Sequence, residues 1–175
     1  MVHVIIGPPC GGKSTYIREN SQPGDLIIDY DVIAQALGAT ESHRAEGLIK
    51  NAALAARTAA INEAIGDGLS ESWVIHSVPS DSQLDFYRSA GAEIIVLDPG
   101  RDEVMARAKR DNRPSNTYVG IDRWYQRKAE IMNSEQRHRL TNSEETIRRR
   151  IISRQSDHLR NLATSGIIGT NSRNW

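Results

Sequence analysis

The eight residues Gly7-Pro8-Pro9-Cys10-Gly11-Gly12-Lys13-Ser14 limit what this chain can fold into more than any other stretch of it. They follow Val2 to Ile6 (VHVII), which reads as a short buried strand, and they lead into Lys13 to Asn20, which reads as a helix. The match to G-x-x-x-x-G-K-[ST] is complete, and each residue type has a physical reason. Glycines let backbone N–H groups turn inward around a β-phosphate with no Cβ in the way. A helix starting at Lys13 adds its positive end to the same anion site. The Lys13 ammonium is placed to bridge β- and γ-phosphates, the Ser14 hydroxyl to ligate Mg²⁺, and Thr15 to touch the α-phosphate. The loop is therefore expected to bind a nucleoside triphosphate through Gly7, Pro8, Pro9, Cys10, Gly11, Gly12, Lys13, Ser14 and Thr15. A purely structural glycine turn is the alternative.

Beyond the loop, strands and helices alternate. Apolar runs at Leu26–Asp31, Ser72–Val78 and Ala92–Asp98 read as three more strands. Helical patterns fall at residues 31–38, 42–68, 80–91, 101–111, 120–133 and 143–163, with a loop over 112–118. Such alternation predicts βαβ crossovers. The expectation is a three-layer α/β fold with a parallel sheet of about four to five strands and a helical C-terminal extension. Residues 1–133 would form one domain with a lid at about 107–118. Residues 134–163 would be an arginine-rich helical extension and 164–175 a flexible tail.

Composition narrows the setting. A single cysteine among 175 residues excludes an internal disulfide framework and a four-cysteine zinc site. Glycine and prolines interrupt the first apolar run, and no stretch reaches the 18 apolar residues that a membrane span needs. No signal peptide and no membrane association are expected, and a cytoplasmic location is. The formal charge of zero is unevenly spread: residues 1–100 hold 6 Lys+Arg against 13 Asp+Glu, and residues 101–175 hold 16 against 9. A basic half can bind polyanions, or it can be a solvated helical surface.

The end of the second strand bears on chemistry. Asp29 and Asp31 sit two apart in LIIDYD. In a parallel sheet they reach the edge that carries the phosphate loop. One can act as general base on an acceptor hydroxyl while the other holds a magnesium-bound water or the acceptor. Asp31 can equally cap the helix that follows. Arg107, Lys109, Arg110 and Arg113 crowd into RAKRDNR, where a mobile lid would bring cations to a transferring phosphoryl group. His76 and Asp81 are weaker candidates near the third strand, each with a structural alternative. Asp98 is expected to cap a turn, and Trp124 and Tyr125 to pack a helix on the core. Cys10 lacks an evident base partner, so it is expected not to act as a nucleophile. Arginines 148, 149, 150, 154 and 160 line a helix that can track a phosphate backbone.

Taken together, GPPCGGKSTYIREN, LIIDYD and RAKRDNRP…YVGIDRWY resemble P-loop kinases of the phage polynucleotide kinase type, over roughly residues 2–133. The resemblance implies that Asp31 activates a 5′-hydroxyl, that Arg110 and Arg113 are lid arginines, and that Val119 lines the base. This chain departs from the pattern in two places. Ala34 stands where the family has an arginine, and His76-Ser77 stands where its third strand ends in an acid. The acceptor pocket is therefore expected to differ. The expected activity is ATP- and Mg²⁺-dependent phosphoryl transfer to a hydroxyl on a nucleic acid or nucleotide, a modified DNA base included. Two alternatives stand beside it: a kinase for a small molecule, and a nucleotide-dependent switch that only hydrolyses ATP.

Overall fold

A computed structural model describes residues 1–41, 43, 45–68 and 70–164, with side chains in the last helix described at 115–153 and 156. The tail from 165 on, and the side chains of Arg154 and Arg160, lie outside the described residues.

Four strands, β1 (Val2–Ile6), β2 (Leu26–Ile28), β3 (Ser72–His76) and β4 (Glu93–Val96), form one open sheet in the order β2-β3-β1-β4. Every pairing is parallel. β1 lies inside the sheet, with Ile5 opposite Ile75 on one side and Ile95 on the other. That interior place explains its near-continuous apolar run: Val4, Ile5 and Ile6 are fully buried.

Side chains alternate across a strand, so odd and even positions face opposite layers. On the odd face Ile5 and Trp73 pack with Ile17 and Tyr16 of α1 (Lys13–Asn20), joined by Ile75, Ile95 and Leu97. On the even face His76 bonds Tyr87 of α4 (Asp81–Ser89). Helices thus cover both faces of an α/β sheet, as the βαβ pattern requires. The edge strand's start is tied by Trp73 Nε1 donating to Asp25 (2.9 Å). Where the strands begin, His3 lies between Glu71 and Glu93, 2.7 Å from each, and stacks on Trp73.

Several boundaries differ from expectation for local reasons. β2 stops at Ile28 because Asp29 caps α2 (Tyr30–Ala36), accepting from the Asp31 N–H at 2.9 Å. The cap is Asp29 and not Asp31, and Asp31 falls in the first helical turn. The long helix α3 runs over Gly47–Asp67 and begins five residues later than expected. After α5 (Arg101–Arg110) the loop is only 111–114, and α6 starts directly after Pro114 at Ser115.

α6 then continues without interruption to Thr164, where two helices were expected. Nothing between Ile121 and Thr164 is glycine or proline. In the stretch left unassigned between the two expected helices, Thr141 returns its hydroxyl to the helix, donating to the Arg137 carbonyl (3.1 Å), and Ser143 just after it donates to that of Arg139 (2.9 Å). By contact density the chain forms two compact units, Met1–Lys128 and Ala129–Trp175. Among the described residues, no helix is long and apolar enough to cross a membrane.

Candidate functional site

The glycine loop leaves β1 at Gly7, whose φ of 150° lies at the margin of the range that favours glycine. A Cβ there would stand 2.0 Å from the Leu97 carbonyl oxygen, so only glycine fits this close approach between adjoining strands. Cys10 and Gly12 take positive φ values of 60° and 94°, which turn the backbone back on itself. Gly12 then caps α1 with no side chain to offer, and the first turn of α1 contains no acid. The amides of Lys13, Ser14 and Thr15 accordingly have no partner within the helix, the arrangement that suits an anion.

Lys13 is only 7 % exposed, folded back over its own loop. Its ammonium donates to the carbonyls of Gly7 (3.0 Å) and Pro8 (2.6 Å). Burial takes its pKa down from the ordinary lysine range to about 8, against the opposing pull of Cys10, Asp29 and Asp31. A buried cation held on two carbonyls, with its pKa depressed, is one that a phosphate would stabilise. The Cys10 thiol is pushed the other way: burial raises it, so it stays protonated and a poor nucleophile.

This loop forms one wall of a cleft of about 950 Å³. Lys13, Ser14 and Thr15 line it, and so do Asp29, Tyr30 and Asp31 from the end of β2 and the start of α2. Arg107, Arg110 and Arg113 line it from α5 and the loop behind it. The expected donor, acceptor and lid groups thus meet in one cavity. Arg107 is the best fixed of the three: it pairs with Glu103 (2.7 Å) and donates to the Cys10 carbonyl (3.3 Å). The Arg110 side chain is 71 % exposed and pairs with Asp111 at 3.1 Å. Glu103, in the first turn of α5, and the cations in its last turn both follow the helix dipole.

Asp29 and Asp31 diverge, as a helix starting between them requires. Asp29 is turned to its capping bond, and burial pushes its carboxyl up. The Asp31 carboxylate instead meets a group that sequence reasoning missed. His43 Nδ1 lies 2.5 Å from Asp31 Oδ2. His43 belongs to the connection between α2 and α3, with a φ of 65°. No local spacing signals the pair, since the two residues stand twelve apart with the end of α2 at Ala36 between them. From the other side, Asn116 of α6 donates its amide to the His43 carbonyl (3.2 Å).

Other candidates lie elsewhere. The His76 ring is turned to the Tyr87 hydroxyl (3.0 Å) and does not line the cleft. Burial, reinforced by Arg57 and Lys13, takes its pKa down to about 3, so it is a neutral structural histidine. Asp81 opens α4 and pairs with Arg127 (2.6 Å), outside the cleft. Val119 is 58 % exposed on α6 and is not among the cleft-lining residues.

Asp98 does cap its turn, accepting from the Gly100 N–H (2.9 Å), but it also anchors α6. Tyr125 (2.6 Å), Trp124 (3.1 Å) and Lys128 (2.8 Å) all donate to it. Burial pushes this carboxyl up, but the donors outweigh it and hold the pKa at about 2. The segment from α5 to the start of α6 is thereby fixed at both ends. Val104 and Ala108 of α5 and Ile121 of α6 form a small core that Cys10, Tyr118 and Tyr125 also touch. No family model matches the chain, and no curated protein matches it.

Proposed function

We propose that this chain is a P-loop kinase that transfers the γ-phosphoryl group of ATP, with Mg²⁺, to a hydroxyl on a nucleic acid or nucleotide. One observation carries the reading. The phosphate-type loop, a half-buried carboxylate and three arginines line a single cleft large enough for a nucleotide and an acceptor. A plain hydrolase needs the loop; the carboxylate facing it across a cleft suits an acceptor hydroxyl.

In this reading the loop amides and Lys13 hold the β- and γ-phosphates. Asp31 takes the proton of the acceptor hydroxyl as its oxygen attacks the γ-phosphorus. The bond from that phosphorus to the β–γ bridging oxygen breaks, and ADP leaves with the electron pair. Lys13, Arg107, Arg110 and Arg113 meet the charge that spreads over the phosphoryl oxygens. The Ser14 hydroxyl, which lines the cleft, fits a Mg²⁺ ion held otherwise by phosphate oxygens, and that ion would neutralise phosphate charge. Arg148, Arg149 and Arg150, all on exposed helix, would bind phosphates of a polymeric acceptor.

The test is transfer from γ-labelled ATP to a panel of 5′-hydroxyl DNA and RNA, hydroxymethylated DNA, nucleosides and nucleotides. Label on a polymer or nucleotide is the expected result. Label confined to other small molecules would move the acceptor class, and release of free phosphate alone would favour a switch ATPase. Asp31→Asn should keep ATP affinity within about twofold and lose transfer by roughly 100-fold or more. Replacing Arg110 and Arg113 together should lower kcat much more than Tm.

A further inference from the structure

Asp31 is exposed enough to be hydrated, and a hydrated carboxylate on a flexible side chain is a poorly aimed base. Two bonds in the cleft address this. The His43 ring nitrogen Nδ1 engages Asp31 Oδ2 at 2.5 Å. The His43 backbone is in turn held by Asn116, three residues beyond Arg113, through a 3.2 Å bond to its carbonyl. Asp31, His43 and Asn116 all line the same cleft. Lys13 and Asp29 also feel the charge of Asp31.

We infer that His43 is a positioning residue for Asp31: it donates Nδ1–H to Oδ2, fixes the carboxylate's rotation and leaves Oδ1 for the acceptor hydroxyl. Asn116 ties this pair to the segment that bears the lid arginines. The base is therefore aimed when α6 stands against the loop that holds His43, and it loses its alignment when that contact opens. This inference rests on the phosphoryl-transfer reading, and it adds a device that reading does not require. It also assigns a use to the strained backbone of His43. A non-glycine residue at positive φ costs energy, and here that conformation accompanies a ring against Asp31 and a carbonyl against Asn116.

The test has two independent arms on the full chain. In the first, proton NMR follows the ring N–H of His43, identified by its loss in His43→Ala. A ring proton slow enough to exchange to be seen, and lost in Asp31→Asn, is expected. Its absence from the unmodified protein overturns the pairing. In the second arm, kinetics use whichever acceptor in the panel takes label. His43→Ala should lower kcat roughly tenfold or more, part of what a general base supplies, with KM for ATP within about twofold. His43→Asn, whose amide can donate from nearly the same place as Nδ1, should recover most of that loss. Asn116→Ala should lower kcat by a smaller factor and weaken the His43 ring signal. Equal losses in His43→Ala and His43→Asn, or an unchanged kcat in either His43→Ala or Asn116→Ala, overturn the positioning role. If the ring proton is present but no acceptor takes label, phosphoryl transfer itself fails, and the positioning role fails with it.

Discussion

Lys13 shows how much a single position commits the loop. A lysine this buried is uncomfortable in the absence of an anion, and its pKa of about 8 records the cost. Phosphate would raise that pKa again, so nucleotide binding above pH 8 should take up a proton. The sign follows directly. The bound form holds the proton more tightly than the free form, so affinity is highest below pH 8 and falls as pH rises through it. Calorimetry of ATP binding at pH 8.5, in buffers of different ionisation enthalpy, should report uptake of more than half a proton. No net uptake would place Lys13 away from the phosphates. Lys13→Met should abolish measurable binding while leaving Tm nearly unchanged, because a buried charge is removed together with its bonds. Gly7 is the opposite kind of residue, where any side chain fails on space. Gly7→Ala puts a methyl against the Leu97 carbonyl and should destabilise the fold by more than about 2 kcal/mol, read by denaturant melts.

At the scale of elements, one carboxylate, Asp98, ties three residues of α6 to the sheet's carboxyl edge. Asp98 sits well below its ordinary pKa, so its stabilising effect is present above about pH 4 and lost as pH falls through about 2. The shift corresponds to about 2 kcal/mol. Asp98→Asn should therefore cost more stability at pH 7 than at pH 2, a difference that melts at the two pH values will show. An equal cost at both would mean that the charge of Asp98 is not what holds Tyr125, Trp124 and Lys128. The legibility of these elements in the sequence divides along a physical line. β1, α1 and the turn between them could be read because each residue's constraint is local: buried alternation, glycine geometry, a helix start. Asp98 as a turn cap was legible for the same reason. Its three partners on α6, and His43 beside Asp31, were not, since both depend on segments that meet only after the chain has turned back. α6 was read as two helices because the largely polar residues 134–142 between them carry no apolar periodicity, the signal on which a helix is read from sequence.

For the whole molecule, charge is the dominant pattern. The chain's excess of acids lies before residue 100 and its excess of bases after it. If the later part follows a polymer, activity on long nucleic acid should fall steeply with salt, and activity on a mononucleotide should not. Replacing Arg148, Arg149 and Arg150 with Gln should flatten the log–log salt dependence by roughly 2–3, and somewhat less if Arg149 stays engaged with Glu145. An unchanged slope would make those arginines a solvated surface. The sheet order has a consequence of a different kind. β1 is made before either neighbour, and its partners are residues 72–76 and 93–96. At synthesis rates of about 5–20 residues per second, the strand leading into the phosphate turn waits roughly 5–20 s for β4. Through that interval an apolar segment has at least one edge open, and its glycine turn has no Leu97 carbonyl to close against. The nascent chain is thus most prone to aggregate between the emergence of β1 and that of β4, and a pause in translation between those two strands should cost more yield than one placed after β4.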